Sequence, residues 1–235
     1  MDTNEEGSVW HSRPRLCSLG HSRGRLRYIS LVCMEDKHHT AHPAEPDPNL
    51  MTIEELYRCL EEGLKNPARV RELEQDIWNA VGATRAILVT DLSGFTKITK
   101  EHGILHFLAT FRQVVLVAEP IFAGNRVVFC KTSADNMMAT FRSAAEAVAV
   151  ARELVKIRVD QVRVCVGIGC GPVVELEDDV FGDEVNVAYK LGEDIAGPGE
   201  VLLSQAAANT VQDLVDGPLT VAIGGIDLPY HRLRT

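Results

Sequence analysis

From residue 51 onward the chain switches between two hydrophobic rhythms. Ile53, Leu56, Leu60 and Leu64 recur at helical spacing behind Thr52-Ile53-Glu54-Glu55, a capping box. Asn66-Pro67 breaks this helix and opens a second, with proline at its first position, that carries Val70, Leu73, Ile77 and Val81. Residues 86–89 are continuously apolar and predict a buried strand. Residues 95–123 read as helix with a break near His102-Gly103. Residues 126–130 and 137–141 flank a polar turn like a hairpin, and 143–157 form an Ala-rich amphipathic helix with Ser143 as N-cap. Val162, Val164, Val166 and Ile168 alternate with Arg163, Cys165 and Gly167, the rhythm of a half-buried strand, which 169–172 is expected to turn. Residues 183–196 predict a helix, 201–203 a strand, 204–214 a helix, and 219–233 is strand-like. Strands and helices alternate with hairpins mixed in, so the expected class is α/β, an α+β sandwich on a mixed or antiparallel sheet.

Composition narrows this. The 235 residues are 46% hydrophobic and 24% charged, enough for one substantial soluble domain with appendages. Residues 1–50 stand apart: Arg13, Arg15, Arg23, Arg25 and Arg27, a Pro-rich stretch at 43–48, most of the histidines and no sustained periodicity. They read as a disordered tail, and His38, His39, His42 and Cys33 as solvated side chains of it rather than a metal site. Met51 directly precedes the capping box, so the natural chain is expected to begin there. The expected division is a tail at 1–50, a helical segment at 51–83 and a core domain at 84–235. A net charge of −9 argues against binding a nucleic-acid polymer. No unbroken apolar run reaches the roughly 18 residues that span a bilayer, since Glu119 and Pro120 divide the longest. The cysteines show no CxxC spacing, and Cys59, Cys130, Cys165 and Cys170 read as reduced thiols of a cytoplasmic protein.

The chemistry concentrates in a few motifs. In Asp91-Leu92-Ser93-Gly94-Phe95-Thr96 an aspartate ends an apolar run and a glycine turn leads into a helix. The N–H groups of Ser93, Gly94, Phe95 and Thr96 would lie at that helix's N-terminus, where phosphate oxygens are received. In Lys131-Thr132-Ser133-Ala134-Asp135 a second aspartate sits in a polar turn. Two such carboxylates in adjacent strands can share one or two magnesium ions. Each motif alone is also explained locally, by an Asp cap on a strand–helix turn and by turn chemistry. His102 and His106, four apart, lack the Glu of a zinc-protease motif and read as a solvated helix face. The run Gly167-Ile168-Gly169-Cys170-Gly171 follows no dinucleotide pattern and reads as tight backbone packing.

Five segments in order resemble the class III nucleotidyl cyclases, the adenylyl and guanylyl cyclase catalytic domains. They are Asp-Leu-Ser-Gly-Phe-Thr from 91, Lys-Thr-Ser-Ala-Asp from 131, Val-Gly-Ile-Gly-Cys-Gly-Pro-Val from 166, Phe-Gly-Asp-Glu-Val-Asn-Val-Ala from 181, and Gly-Pro-Gly-Glu-Val-Leu-Leu-Ser from 197. The resemblance implies a ferredoxin-like βαββαβ core behind two helices, and a head-to-tail dimer with active sites at its interface. It implies that Asp91 and Asp135, with Leu92 beside them, hold two Mg²⁺ or Mn²⁺ ions, and that Lys131 and Asp179 read adenine. Asn186 would position the ribose, and Lys190 would occupy the position of the transition-state arginine. The implied reaction converts ATP to cyclic AMP and pyrophosphate.

Two departures bear on this. Lysine at 190 keeps the positive charge but loses the planar fork that grips phosphate at two points. Only Glu175 to Asp178 separate Val174 from Asp179, shorter than the hairpin many relatives place there, which puts the usual dimer geometry and the position of Asp179 in question. The alternatives are a catalytically weak or inactive nucleotide-binding regulatory module, a heterodimer with another cyclase chain, and a cyclase for another base.

Overall fold

The structure is a computed structural model that describes residues 51–133 and 135–234; residues 1–50, with their histidines and Cys33, lie outside it. Thr52 caps α1 (Ile53–Lys65) with both halves of the capping box in place. A 3₁₀ turn at Pro67–Arg69 then leads into α2 (Val70–Val81). Leu56 of α1 and Ile77 and Val81 of α2 bury together with Leu176, so this helical pair packs on the core through the tip of a core hairpin.

The core opens with β1 (Gly82–Ser93), followed by α3 (Phe95–His102), α4 (Ile104–Ala123), β2 (Phe129–Ser133), β3 (Asn136–Phe141), α5 (Ala144–Leu154), the short β4 (Arg158–Val159) and β5 (Val162–Glu175). Strands β2, β3, β1 and β5 lie side by side, all antiparallel, which is the expected βαββαβ unit. After β6 (Val180–Phe181) and α6 (Asp183–Tyr189), a π-helical turn (Lys190–Ile195) leads to β7 (Val201–Ser204), α7 (Gln205–Asn209), β8 (Val215–Ile223) and β9 (Ile226–Leu233). β7 joins β5 in parallel and β9 and β8 extend the sheet antiparallel, so the sheet is mixed.

One face of the sheet carries Ala86, Leu88, Val164 and Val166 against α4 and α5. The other carries Ile87, Val89, Met138 and Val173 against Val185 and Ala188 of α6. Both faces of β1 are therefore buried, which is why its centre reads as an unbroken apolar run rather than an alternating one. The expected half-burial of β5 fails for the same reason: Val164 to Ile168 are buried on both faces. Nor does 169–172 turn the strand. β5 runs straight through these residues, paired with β1 from Arg163 to Val174, and its glycines answer to α6 instead. A Cβ on Gly167 would land on the carbonyl oxygen of Ala188, and one on Gly169 on that of Glu184.

Three further expectations shift. The helix expected at 204–214 is a five-residue α7 capped by Ser204, then a separate 3₁₀ turn at Gln212–Leu214. The strand-like tail is a hairpin that starts earlier, at Val215, and turns at Gly224 and Gly225, both at positive φ. And α4, at 20 residues, is long and apolar enough to cross a membrane by length and composition, which counting uninterrupted runs missed. Its Phe107, Phe111, Val114, Val115, Ala118 and Phe122 are buried against the sheet, while Ile104, Leu105, Leu108, Leu116 and Val117 on its other face are exposed.

Glu184 fastens α6 to the sheet. Its Oε2 accepts from the Cys170 main-chain N–H at 2.8 Å and from the Ser204 hydroxyl at 2.5 Å. Glu184→Ala leaves both donors without this acceptor and is expected to destabilise the fold by about 1–3 kcal/mol in urea unfolding. Glu184→Gln keeps an acceptor and should lose less. Equal losses would show that the charge, not the hydrogen bonds, matters.

Candidate active site

β1 delivers Asp91 to the sheet's edge of chemistry. Thr90, fully buried just before it, accepts the Met137 N–H at 3.0 Å and so ties β1 to β3 where the β2–β3 turn carries Asp135. Asp91 is partly buried, and burial pushes its carboxyl above the ordinary range; a main-chain hydrogen bond from Leu92 opposes this, and the charges of Asp135 and Asp194 add to it. These carboxylates therefore share one electrostatic neighbourhood. Glu193, in the π-helical turn, belongs to it too: burial raises its carboxyl first, then the charges of Asp91 and Asp135. Among the described residues no three His, Cys, Asp or Glu side chains converge to hold a metal ion. Asp91 and Asp135 form a pair rather than a cage.

The residues fit a hard divalent cation by their chemistry. Two carboxylates that repel one another are relieved by a cation between them. Next to Asp135, the amide oxygen of Asn136 is buried and has no hydrogen-bond partner. Leu92 is buried in the core on its side chain, so only its main chain is available to a cation.

Beyond Asp91 the chain turns at Gly94, whose φ of 92° excludes most other residues, into α3. No side chain caps this helix, whereas Thr52, Ser143 and Ser204 cap α1, α5 and α7. The N–H groups at its start are thus open to an anion. Phe95 is held edge-to-face on Phe107 of α4, with ring centroids 4.6 Å apart. Thr96 is exposed. A cavity of about 400 Å³ adjoins this turn, lined by Ser93, Gly94, Lys97, Ile98, Gln161, Arg163 and Pro198. Its two cations escaped the sequence reading. Arg163 counted only as an outward position of a strand, and its place beside Ser93 follows from the β1–β5 register, which sequence does not display.

Lys131 on β2 and Asp179 in the β5–β6 turn meet: Nζ and Oδ2 are 3.0 Å apart, each side chain about a third exposed. The short turn closes by a hydrogen bond from the Leu176 N–H to the Asp179 carbonyl at 2.8 Å, and the Val180 N–H donates to Asp179 Oδ1 at 2.9 Å. The turn is short and still brings Asp179 to Lys131.

Asn186 on α6 and Lys190, the first residue of the π-helical turn, lie four residues apart, both exposed. Lys190 Nζ pairs with Asp194 Oδ2 at 2.8 Å, four residues on. Among the described residues, neither Asn186 nor Lys190 makes a side-chain hydrogen bond or ion pair to Lys131, Asp179 or Asp91. His102 and His106 are exposed, with ring centroids 4.9 Å apart. The four described cysteines are free; burial pushes the thiols of Cys130 and Cys165 up to about 11.

This sheet, with its helices, is the catalytic-domain fold of the class III nucleotidyl cyclases, and the chain resembles that family in sequence and in structure. The adenylyl cyclase CyaB from P. aeruginosa superposes with a TM-score of 0.55 at 17% identity, over 66% of this chain and 95% of that one. The adenylate/guanylate cyclase/hydrolase from Silicibacter pomeroyi is 25% identical, with a TM-score of 0.50 over 65% of this chain and 96% of that one. The catalytic core of a rhodopsin-guanylyl cyclase with converted specificity, in complex with ATPalphaS, superposes with a TM-score of 0.54 at 18% identity, over 65% of this chain and 98% of that one. In sequence, the Rhizobium meliloti (strain 1021) protein named "Putative adenylate cyclase 3" is 28% identical over 165 residues, 63% of this chain. The match spans 26% of that relative's length. No protein-family model matches the chain.

The raised carboxyl of Asp91 carries a stability consequence. A carboxyl shifted upward on folding stabilises the fold below the ordinary carboxylate range and loses that contribution as pH rises through the shifted value. Asp91→Asn should therefore raise the melting temperature at pH 7, and the gain should vanish at acid pH. Asp135→Asn removes a like charge, so the Asp91 carboxyl, followed by NMR, should titrate at lower pH than in the parent chain. No movement would mean that the two carboxylates do not interact.

Proposed function

We propose that the chain is the catalytic core of an adenylate cyclase, which converts ATP to 3′,5′-cyclic AMP and pyrophosphate at the interface of a head-to-tail homodimer in the cytoplasm. The observation that carries the choice of ATP is the Lys131–Asp179 pair at 3.0 Å. An ammonium can donate to a ring nitrogen of adenine while a carboxylate accepts from its exocyclic amine; guanine reverses much of that pattern. The two groups neutralise one another until a base separates them.

In the reaction the ribose 3′-oxygen forms a bond to the α-phosphorus, the α–β bridging bond breaks, pyrophosphate departs and the hydroxyl proton is lost. Two Mg²⁺ or Mn²⁺ ions at Asp91, Asp135 and the Leu92 main chain would neutralise the triphosphate and acidify that hydroxyl. The open N–H groups from Ser93 to Thr96 receive phosphate oxygens, with Lys97 and Arg163 beside them for the outer phosphates. Asn186 orients the ribose. Lys190, released from Asp194, places positive charge on the phosphates. Catalysis of this kind is positioning plus electrostatics.

In a head-to-tail dimer the carboxylate pair of one subunit would work with Lys131, Asp179, Asn186 and Lys190 of the other, so no subunit alone completes a site. Mixing Asp91→Ala with Asn186→Ala chains should restore about a quarter of the parent activity, since about half the dimers are mixed and each has one intact site. A mixture as inactive as either variant contradicts the shared site. One observation favours a second reading, a detuned or regulatory cyclase domain: Lys190 is a single-point cation already paired with Asp194. Lys190→Arg is expected to raise kcat several-fold. If it leaves kcat unchanged or lowers it, Lys190 does not act at the phosphates.

A further inference from the structure

Three features near Asp135 are not accounted for by the residues named so far. First, the segment after α6 leaves α-helical geometry for a π-helical turn, Lys190–Ile195. Such turns are uncommon and concentrate at functional sites. Second, this turn is pinned to the sheet: a Cβ on Gly192 would come within 3.0 Å of Gly167 N and of Val89 O, so the turn lies directly on β1 and β5. The residue that follows, Glu193, is thereby held toward the end of β1 that bears Asp91. Third, Glu193 Oε1 accepts a hydrogen bond from Asn136 Nδ2 at 2.9 Å, and Asn136 is the residue next to Asp135. The amide nitrogen thus faces the carboxylate, which leaves the amide oxygen as the buried atom without a partner.

We propose that Glu193 is a positioning residue for the divalent-cation site: through Asn136 it fixes the β2–β3 turn so that Asp135 is presented to the cation shared with Asp91. This rests on the cation-binding reading of Asp91 and Asp135. A free hairpin turn samples many conformations, and the ordering entropy would otherwise be charged to each binding event. The hydrogen bond across fifty-seven residues of sequence removes that freedom beforehand. Glu193 itself stays outside the ligand set, in keeping with the absence of any three-carboxylate convergence among the described residues. Residues that orient metal ligands in this way typically change metal affinity by about 10–100-fold when replaced.

The test is Mn²⁺ binding to the full chain, read from the electron paramagnetic resonance signal of free Mn²⁺ without nucleotide, so that turnover plays no part. Glu193→Ala should weaken binding by about tenfold or more. Glu193→Gln, whose side-chain oxygen still accepts from Asn136, should retain affinity within about threefold. Asn136→Ala combined with Glu193→Ala should be no weaker than the worse single variant, because the two act as one unit. Circular dichroism spectra matching the parent show that each variant is folded, and the retained binding of Glu193→Gln guards against a loss through misfolding. Parent-like affinity in Glu193→Ala overturns the proposal, as does a Gln variant that falls as far as the Ala variant, or additive losses in the double variant. If the parent chain binds no Mn²⁺, or Asp91→Ala binds as well as the parent, the cation-site reading fails instead.

Discussion

The close approach of α6 and its π-helical turn to β5 sets everything else in place. A helix can lie this near a strand only where the strand has no side chains in the way, and Gly167, Gly169 and Gly171 clear that track. Glu184 then locks the contact from the helix side, to Cys170 and to Ser204. The consequence reaches both halves of the site. Asn186 projects from the helix so positioned, and Lys190 and Glu193 from the turn that follows it. An alanine at Gly169 would push the helix off Glu184's own carbonyl and move all of them together.

The carboxylate pair follows a different balance. Asp91 and Asp135 are held near one another at the end of a sheet whose centre is packed on both faces. Their mutual repulsion and partial burial oppose folding, and the surrounding core offsets it. In the proposed reaction a cation between the two carboxylates would relieve that repulsion. The Lys131–Asp179 pair has the opposite sign: the two side chains neutralise one another at 3.0 Å.

Much of this was readable from the chain, and the boundary falls at a physical line. Caps and breaks are local, so Thr52, the break at Gly103 and Ser143 placed the starts of α1, α4 and α5 within a residue, while the helix expected to open at Pro67 begins as α2 only at Val70, after a 3₁₀ turn. The continuous run at Ala86 to Val89 announced a strand covered on both faces. The turn expected at 169–172 failed, whereas the reading of Gly167 to Gly171 as tight backbone packing held: the close neighbours of Gly167, Gly169 and Gly171 are α6 and the turn after it. Pairing register is non-local, and with it went the cavity beside Ser93, with Lys97 and Arg163. The π-helical turn was illegible for a similar reason: nothing in Lys-Leu-Gly-Glu-Asp-Ile distinguishes it from α-helix, so Glu193 drew no notice. Candidate residues came from motif order, and the structure adds where they stand: Lys131 against Asp179, Asp91 in one neighbourhood with Asp135, Asn186 exposed on α6 and Lys190 exposed at the start of the π-helical turn.

The central claim is that this constellation makes cyclic AMP. The most direct measurement is mass spectrometry of the products formed by the full chain with Mn²⁺ and an equimolar mixture of ATP, GTP, CTP and UTP, beside an Asp91→Ala control. The account predicts cyclic AMP as the dominant cyclic product, absent from the control. A folded chain that yields no cyclic nucleotide at high protein concentration, or yields chiefly cyclic GMP, contradicts it.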